Sequence, residues 1–144
     1  LSIIVSDTSP IRALAHLGNL DLLHALFGEV LIPPALVVEL QRPRSKLPAL
    51  SVRELPFVRI EAPRDRTAVD ELLSILGPGE AEALVLAVEL HADAILIDEA
   101  AGRAVARQKG LLPELTPLLD RLQRELGFFI SAEVRAEILK QAGE

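Results

Sequence analysis

The chain has no cysteine, which excludes both a disulfide framework and a thiolate zinc site. Nothing in it calls for an oxidising compartment, and a cytoplasmic protein is expected. No apolar run approaches the roughly 18 residues that a membrane helix requires. The first residues have neither the charged start nor the small-residue cleavage site of a signal peptide, so a soluble protein without a membrane partner is expected. Methionine is absent too, the initiator included, so the sequence is expected to omit residues of the natural chain. Basic charge is scarce: 15 Lys and Arg stand against 21 Asp and Glu, a formal net charge of -6. That balance excludes a protein that wraps nucleic acid by bulk electrostatics, because counterion release needs a field of Lys and Arg.

The scarce basic residues are unevenly placed. Between Gln41 and Arg66 seven of them (Arg42, Arg44, Lys46, Arg53, Arg59, Arg64, Arg66) accompany three acids (Glu54, Glu61, Asp65), so a small basic surface can lie beside an acidic site. At 144 residues, half of them hydrophobic, the chain has the size of one compact domain and can bury a core without metal or disulfide staples. A single domain over residues 1–144 is expected.

Ile3-Ile4-Val5-Ser6 is a short β-branched run ending in Asp7-Thr8-Ser9-Pro10, which reads as a buried strand followed by a helix, with Ser9 as N-cap and Pro10 as first helical residue. Ile11, Leu14 and Leu17 repeat at helical spacing up to Gly18, and Asn19 caps a second helix through Leu26. A second strand spans Glu29 to Ile32. Pro34 then opens a helix carrying Leu36, Val37, Glu39 and Leu40. Arg42 to Leu50 reads as a loop, Phe57 to Ile60 as a third strand at an edge, and about 66–76 as a helix broken by Gly77-Pro78-Gly79. The next helix starts at Glu80 and leads into a central parallel strand, Asp93 to Ile97. Asp98 starts a helix to about Gln108, Pro113 opens another, and Ser131 caps the last. Helices alternating with short apolar strands indicate an α/β sheet with mostly parallel strands. Ligands of such sheets bind beyond the carboxyl ends of the strands.

Four acids fall where strands end or helices begin. Asp7 follows the first strand, as a metal ligand or as the Asx turn of a strand-to-helix transition. Asp98 follows the strand 93–97, either capping the next helix or pointing into a shared site. Glu99 beside it is explained by the helix dipole. Glu80 lies in a first helical turn, where acids are favoured in any case, with Glu82 facing elsewhere. Glu39 interrupts an apolar stretch, and a partly buried carboxylate needs a partner, either a metal or an arginine. If these acids converge, they repel one another and raise one another's pKa unless a cation neutralises them. Oxygen-only ligands select Mg²⁺ or Mn²⁺ over zinc, and such an ion polarises a phosphoryl oxygen and lowers the pKa of water. Thr8 and Ser9 are candidates for contact with the metal or a phosphate, Ser9 also as a cap. Arg103 either pairs with Glu99 at i,i+4 spacing or touches substrate phosphate. His16, His24 and His91 have no ligand spacing and read as surface or interface residues.

Ile4-Val5-Ser6-Asp7-Thr8-Ser9-Pro10, Ile32-Pro33 to Val38-Glu39-Leu40, Gly79-Glu80-Ala81-Glu82-Ala83 and Leu96-Ile97-Asp98-Glu99 with Arg103 together resemble the PIN-like nuclease domains, nearest to a prokaryotic branch related to VapC-type toxins. The likeness runs over nearly the whole chain and rests on the ordered set of acids. It implies a three-layer α/β/α sandwich, Mg²⁺ or Mn²⁺ bound by acids, and cleavage of single-stranded RNA by metal-activated water. By that resemblance Asp7 matches the first-strand aspartate, Glu39 the helix glutamate, Glu80 the acid opening the central helix and Asp98 the acid after the fourth strand. It also implies a homodimer and a small antitoxin partner encoded alongside. The chain departs from the pattern after Gln108, where relatives continue into a Gly-rich segment and fifth strand and this chain runs into Lys109-Gly110-Leu111-Leu112-Pro113.

Two rivals stand beside that reading. A phosphatase of the haloacid dehalogenase type also places an aspartate after its first strand, but its mechanism needs a second acid two residues on, where this chain has Ser9. A catalytically inactive PIN-like module that binds a partner would keep the fold without the chemistry. The net negative charge and the departure after Gln108 favour it, and retention of four acids speaks against it.

Overall fold

Three-residue strands suffice here because three of the four, those at residues 4–6, 30–32 and 94–96, are buried along their whole length. The computed structural model describes residues 3–7, 11–12, 15, 20–42, 49–97 and 100–111, together with the helical positions Ala132, Ala136 and Leu139. Its strands are β1 (Ile4–Ser6), β2 (Val30–Ile32), β3 (Val58–Ile60) and β4 (Ala94–Leu96). All pair in parallel in the order β3-β2-β1-β4, with Ile4 beside both Val30 and Ala94, and Leu31 beside Arg59. Ile4 and Val5 are neighbours and so face opposite sides of the sheet, yet both are 0% exposed, as are Ile95 and Leu96. Burial on both faces requires covering helices on both, which is the α/β/α layering expected from the sequence.

The helices are α1 (Leu20–Phe27), α2 (Pro34–Leu40), α3 (Arg66–Leu72), α4 (Pro78–Glu89) and α5 (Ala100–Gln108), and Ile11, Arg12 and Ala15 are helical as well. Of these, α4 is the pillar. It packs against α2, α3, α5, β1 and β4, and every residue from Ala81 to Ala87 is buried. A helix that is apolar nearly all round belongs in a core, and Ala81, Ala83 and Ala87 let its neighbours come close. The buried Glu82 ties this pillar outward: its Oε1 accepts from the Ala35 amide at 3.4 Å and its Oε2 lies 3.6 Å from Arg66. Glu89, at the other end, accepts from the Arg64 amide at 2.9 Å and the Asp65 amide at 2.8 Å, while the Asp65 side chain caps α3 through the Ala68 amide at 3.0 Å.

Several boundaries differ from the sequence expectation. α4 begins at Pro78 and not at Glu80, with Gly77 as N-cap; proline has no N–H to lose at a first helical position and its φ already suits a helix. Residues expected to extend α3 to about residue 76 form tight turns instead, Leu73 N bonding Asp70 O at 3.2 Å and Ile75 N bonding Leu72 O at 3.1 Å. β4 was expected to be central; among the described residues it pairs with β1 alone and stands at the end of the order, its burial coming from α4 and not from a second strand. β3 is an edge strand as expected, and a 3₁₀ turn at Val52–Glu54 precedes it. The segment after Gln108 closes α5: Gly110 takes φ 75 and the Leu111 amide bonds the Ala106 carbonyl at 2.9 Å, a C-cap that only glycine adopts without strain. The helix expected from Pro113 lies outside the described residues.

If α4 holds the layers together, Leu84→Ala, at a 0% exposed position of that helix, is expected to lower unfolding stability by about 2–5 kcal/mol. A urea titration followed by far-UV circular dichroism measures it.

Candidate active site

The chain steps from β1 to β2 to β3 in one direction and then crosses to the other side of β1 for β4. Sheets of this kind open a crevice beyond the strand ends at the point where the order reverses, here between β1 and β4. Asp7 is the residue that leaves β1 into that crevice. It is 6% exposed, its amide donates to the Leu96 carbonyl at 2.8 Å, and its own carbonyl accepts from the Ser6 hydroxyl at 2.8 Å. The strand pairing thus continues one residue beyond β1 and β4 and sets the Asp7 backbone rigidly at the crevice. Ile97, 0% exposed, leaves β4 beside it. Asp98 comes next in the chain and lies outside the described residues, as do Thr8 and Ser9.

Glu80 reaches the same edge by topology. α4 is followed, after Leu90–Asp93, by the parallel strand β4, so the chain runs down α4 and back up β4. The N-terminus of α4 therefore lies at the carboxyl ends of the strands. Glu80 is the third residue of that helix, where the positive end of the dipole favours a carboxylate, and its Oε2 is fully shielded from solvent. The shielding group is α5: a Cβ added at Gly102 would come 2.9 Å from Glu80 Oε2 and 2.5 Å from Ile97 Cδ1.

Glu39 approaches α4 from the opposite flank. A Cβ at Gly79 would come 2.8 Å from Glu39 Oε1 and would overlap Leu36. With Ala35 at Glu82 and Glu39 at Gly79, α2 crosses the first turn of α4 in the opposite direction. Glu39 is not partly buried as expected. It is exposed, beside Val38 at 50% exposure, while Leu36, Val37 and Leu40 face inward; the seven-residue helix turns its 38–39 corner to solvent. Gly79 thus lets Glu39 close on the first turn of α4, and Gly102 lets α5 close on Glu80; neither glycine was marked as a site residue. A glycine inside α5, where it weakens the helix by about 1 kcal/mol against alanine, was the available signal for Gly102.

Two arginines missed or only partly read from the sequence are buried at this edge, each 6% exposed. Arg12 donates from Nη2 to the carbonyls of Glu39 and Arg42 at 2.5 and 2.7 Å. Arg103 donates from Nη1 to the Ile97 carbonyl at 3.3 Å, which steadies the backbone just before Asp98. The pairing of Arg103 with Glu99 falls outside the described residues. Glu82 serves structure, as described above. His24 stacks on Phe57 with ring centroids 5.6 Å apart, His91 is exposed at φ 51, and His16 lies outside the described residues. The cavity of about 470 Å³ lined by Ile3, His24, Glu29, Leu31 and Arg59 opens at the amino ends of β1 and β2, away from the acids.

The donor chemistry of this edge is carboxylate oxygen throughout, which suits a hard divalent cation. Among the described residues no three His, Cys, Asp or Glu side chains converge closely enough to hold an ion, so the described acids do not form a closed site by themselves. The glycine contacts make a direct prediction. Gly79→Ala is expected to lower stability by about 1–3 kcal/mol through overpacking against Leu36 and Glu39, whereas Gly77→Ala, with nothing within 4 Å of its Cβ, is expected to cost less than about 1 kcal/mol. Parallel urea titrations of the two variants check this.

No curated protein and no solved structure matches the chain. Residues 3–112 match DUF3368, a PIN domain. They include β1 to β4, α1 to α5 and all four candidate acids, and the all-parallel sheet is that of a PIN-like α/β fold. The chain therefore belongs to the PIN-domain family DUF3368, a nuclease-type family of hydrolases.

Proposed function

We propose that this PIN-domain protein is a metal-dependent endoribonuclease that cleaves single-stranded RNA and is the toxin of a type II toxin–antitoxin pair. The observation that carries the reading is the placement of Asp7, buried at the β1/β4 switch point with the next residue after Ile97 being Asp98. Asp7 ends β1 and Asp98 follows Ile97 at the same end of the neighbouring parallel strand, with Glu80 on the helix that starts there; acids brought to one edge repel one another unless a cation offsets their charge. On this reading Asp7, Glu39, Glu80 and Asp98 would hold Mg²⁺ or Mn²⁺. Such an ion, when bound, supplies Lewis-acid polarisation of the phosphodiester and lowers the pKa of a water nucleophile.

The chain's own residues then divide the remaining work. Asp7 at the end of β1, and Asp98 next after Ile97 in the chain, would supply ligand oxygens for the ion, and the hydrogen-bonded Asp7 backbone fixes where the first of them stands. Glu80 adds negative charge at the positive end of α4, which is stabilised there by the helix dipole. Thr8 and Ser9, which follow Asp7 in the chain, would offer hydroxyls to the metal or to a substrate phosphate. Arg103, being buried, would act on the phosphate through the turn that begins at Ile97. Arg42, exposed just beyond Glu39, and Arg66, 3.6 Å from Glu82 on α4, would help guide RNA to an otherwise acidic protein. The toxin role, a cognate antitoxin, a homodimer and action in the cytoplasm rest on the likeness to VapC-type toxins.

A second reading, an inactive PIN-like module that binds a partner, is favoured by one observation: the described acids do not include a group of three able to hold an ion. The readings part on metal binding. Calorimetric titration with Mn²⁺ is expected to show saturable binding that falls by at least about 10–100-fold in Asp7→Asn. The same variant should lose cleavage of a mixed single-stranded RNA while its melting temperature stays level or rises, because a repelling charge has gone. Absence of Mn²⁺ binding by the unmodified protein would turn the assignment to the partner-binding module, and unfolding of metal-free Asp7→Asn would make that acid structural.

A further inference from the structure

Arg12 lies five residues beyond Asp7 in the helical stretch after β1 and is 6% exposed. A guanidinium taken from water must be matched by good acceptors, since burial otherwise costs more than it returns. Its Nη2 meets two, the carbonyls of Glu39 at 2.5 Å and Arg42 at 2.7 Å. The first lies in the last turn of α2 and the second just beyond its C-cap Gln41, where a helix leaves carbonyls without intrahelical partners. The Glu39 carbonyl also accepts from the Arg42 amide at 3.1 Å, the Val37 carbonyl from the Gln41 amide at 3.2 Å, and the Leu40 carbonyl from the Leu50 amide at 2.7 Å. The last turn of α2 is thus fastened carbonyl by carbonyl, and Arg12 supplies the fastening that comes from a different part of the chain.

α2 needs it. The helix has seven residues and no side-chain hydrogen bond at its N-cap, too few to hold its shape by propagation. Arg12 places a positive charge at the negative end of its dipole. We propose that Arg12 is a positioning residue for Glu39: by gripping the Glu39 carbonyl it holds that residue's carboxylate beside Gly79 at the first turn of α4. Side chain and gripped carbonyl belong to one residue, so any slack in the turn is passed directly to the carboxylate. The consequence for metal binding rests on the reading of Glu39 as a ligand; the consequence for the turn does not.

The sign of the effect separates positioning from electrostatics. Arg12 as a mere charge near a cation site would repel the ion, and its removal would tighten Mn²⁺ binding. Positioning predicts the reverse. In Arg12→Ala, Mn²⁺ affinity by calorimetry is expected to fall about 10-fold, as when an outer-shell partner of a ligand is lost. The loss should largely vanish in a Glu39→Gln background, since both changes act through one group. Without metal, exchange of the Gln41 and Arg42 amides, followed by NMR, should quicken about 10-fold relative to amides of α4. Arg12→Lys, which keeps the charge and one donor group, should recover part of that protection and carries the test if the alanine variant does not fold. Unchanged or tighter Mn²⁺ binding, a full loss persisting beside Glu39→Gln, or unaltered exchange would each overturn the proposal. If the unmodified protein binds no Mn²⁺, the nuclease reading fails by itself and the exchange measurement still decides the role of Arg12.

Discussion

The pairing of β1 with β4 is the contact on which the rest of this protein depends. It joins strands that lie 90 residues apart in sequence, Ile4 with Ala94, and it does so on the side of β1 away from β2. That reversal creates the crevice at the carboxyl end of the sheet. It also forces α4, the helix leading into β4, to begin at that same end. The position of Asp7, the entry of Glu80 and the departure of the chain toward Asp98 are all consequences of one parallel ladder, continued by the bond from the Asp7 amide to the Leu96 carbonyl.

Acids placed toward one edge of a sheet repel one another, and the structure around Glu80 and Glu39 bears on that cost. Glu80 takes a helix N-terminus, where the dipole offsets its charge. Glu39 faces solvent, where water screens it. Two buried arginines sit at the same edge, each bonded to a main-chain carbonyl of the turn that carries an acid: Arg12 to Glu39, and Arg103 to Ile97. Glycines at 79 and 102 leave the space that the carboxylates occupy.

Much of the fold was legible because it depends on local pattern. The β-branched run at residues 3–6, the proline at 34 and the apolar face of 81–88 mark strands and helices by rules that hold within a few residues. The misread boundaries are also local in origin: Pro78 and Gly79 looked like a break, although proline at a first helical position is a helix start. The site was legible only as a list of acids in order. Arg12 carried no periodic or motif signal, and the glycines at 79 and 102 read as a break and as a weak point of a helix, since what makes them matter is the packing of Glu39 and Glu80 against them.

The sequence by itself determined the alternation of helix and strand, the all-oxygen character of the candidate ligands and the order in which the acids occur, because these follow from residue type and short-range spacing. Tertiary structure decided that Glu39 stands against Gly79 of α4 on an exposed corner of its helix, and that Arg12 and Arg103 turn inward to backbone carbonyls. Those outcomes are set by helix packing against a twisted parallel sheet, which brings together groups whose separation along the chain says nothing about their distance in space.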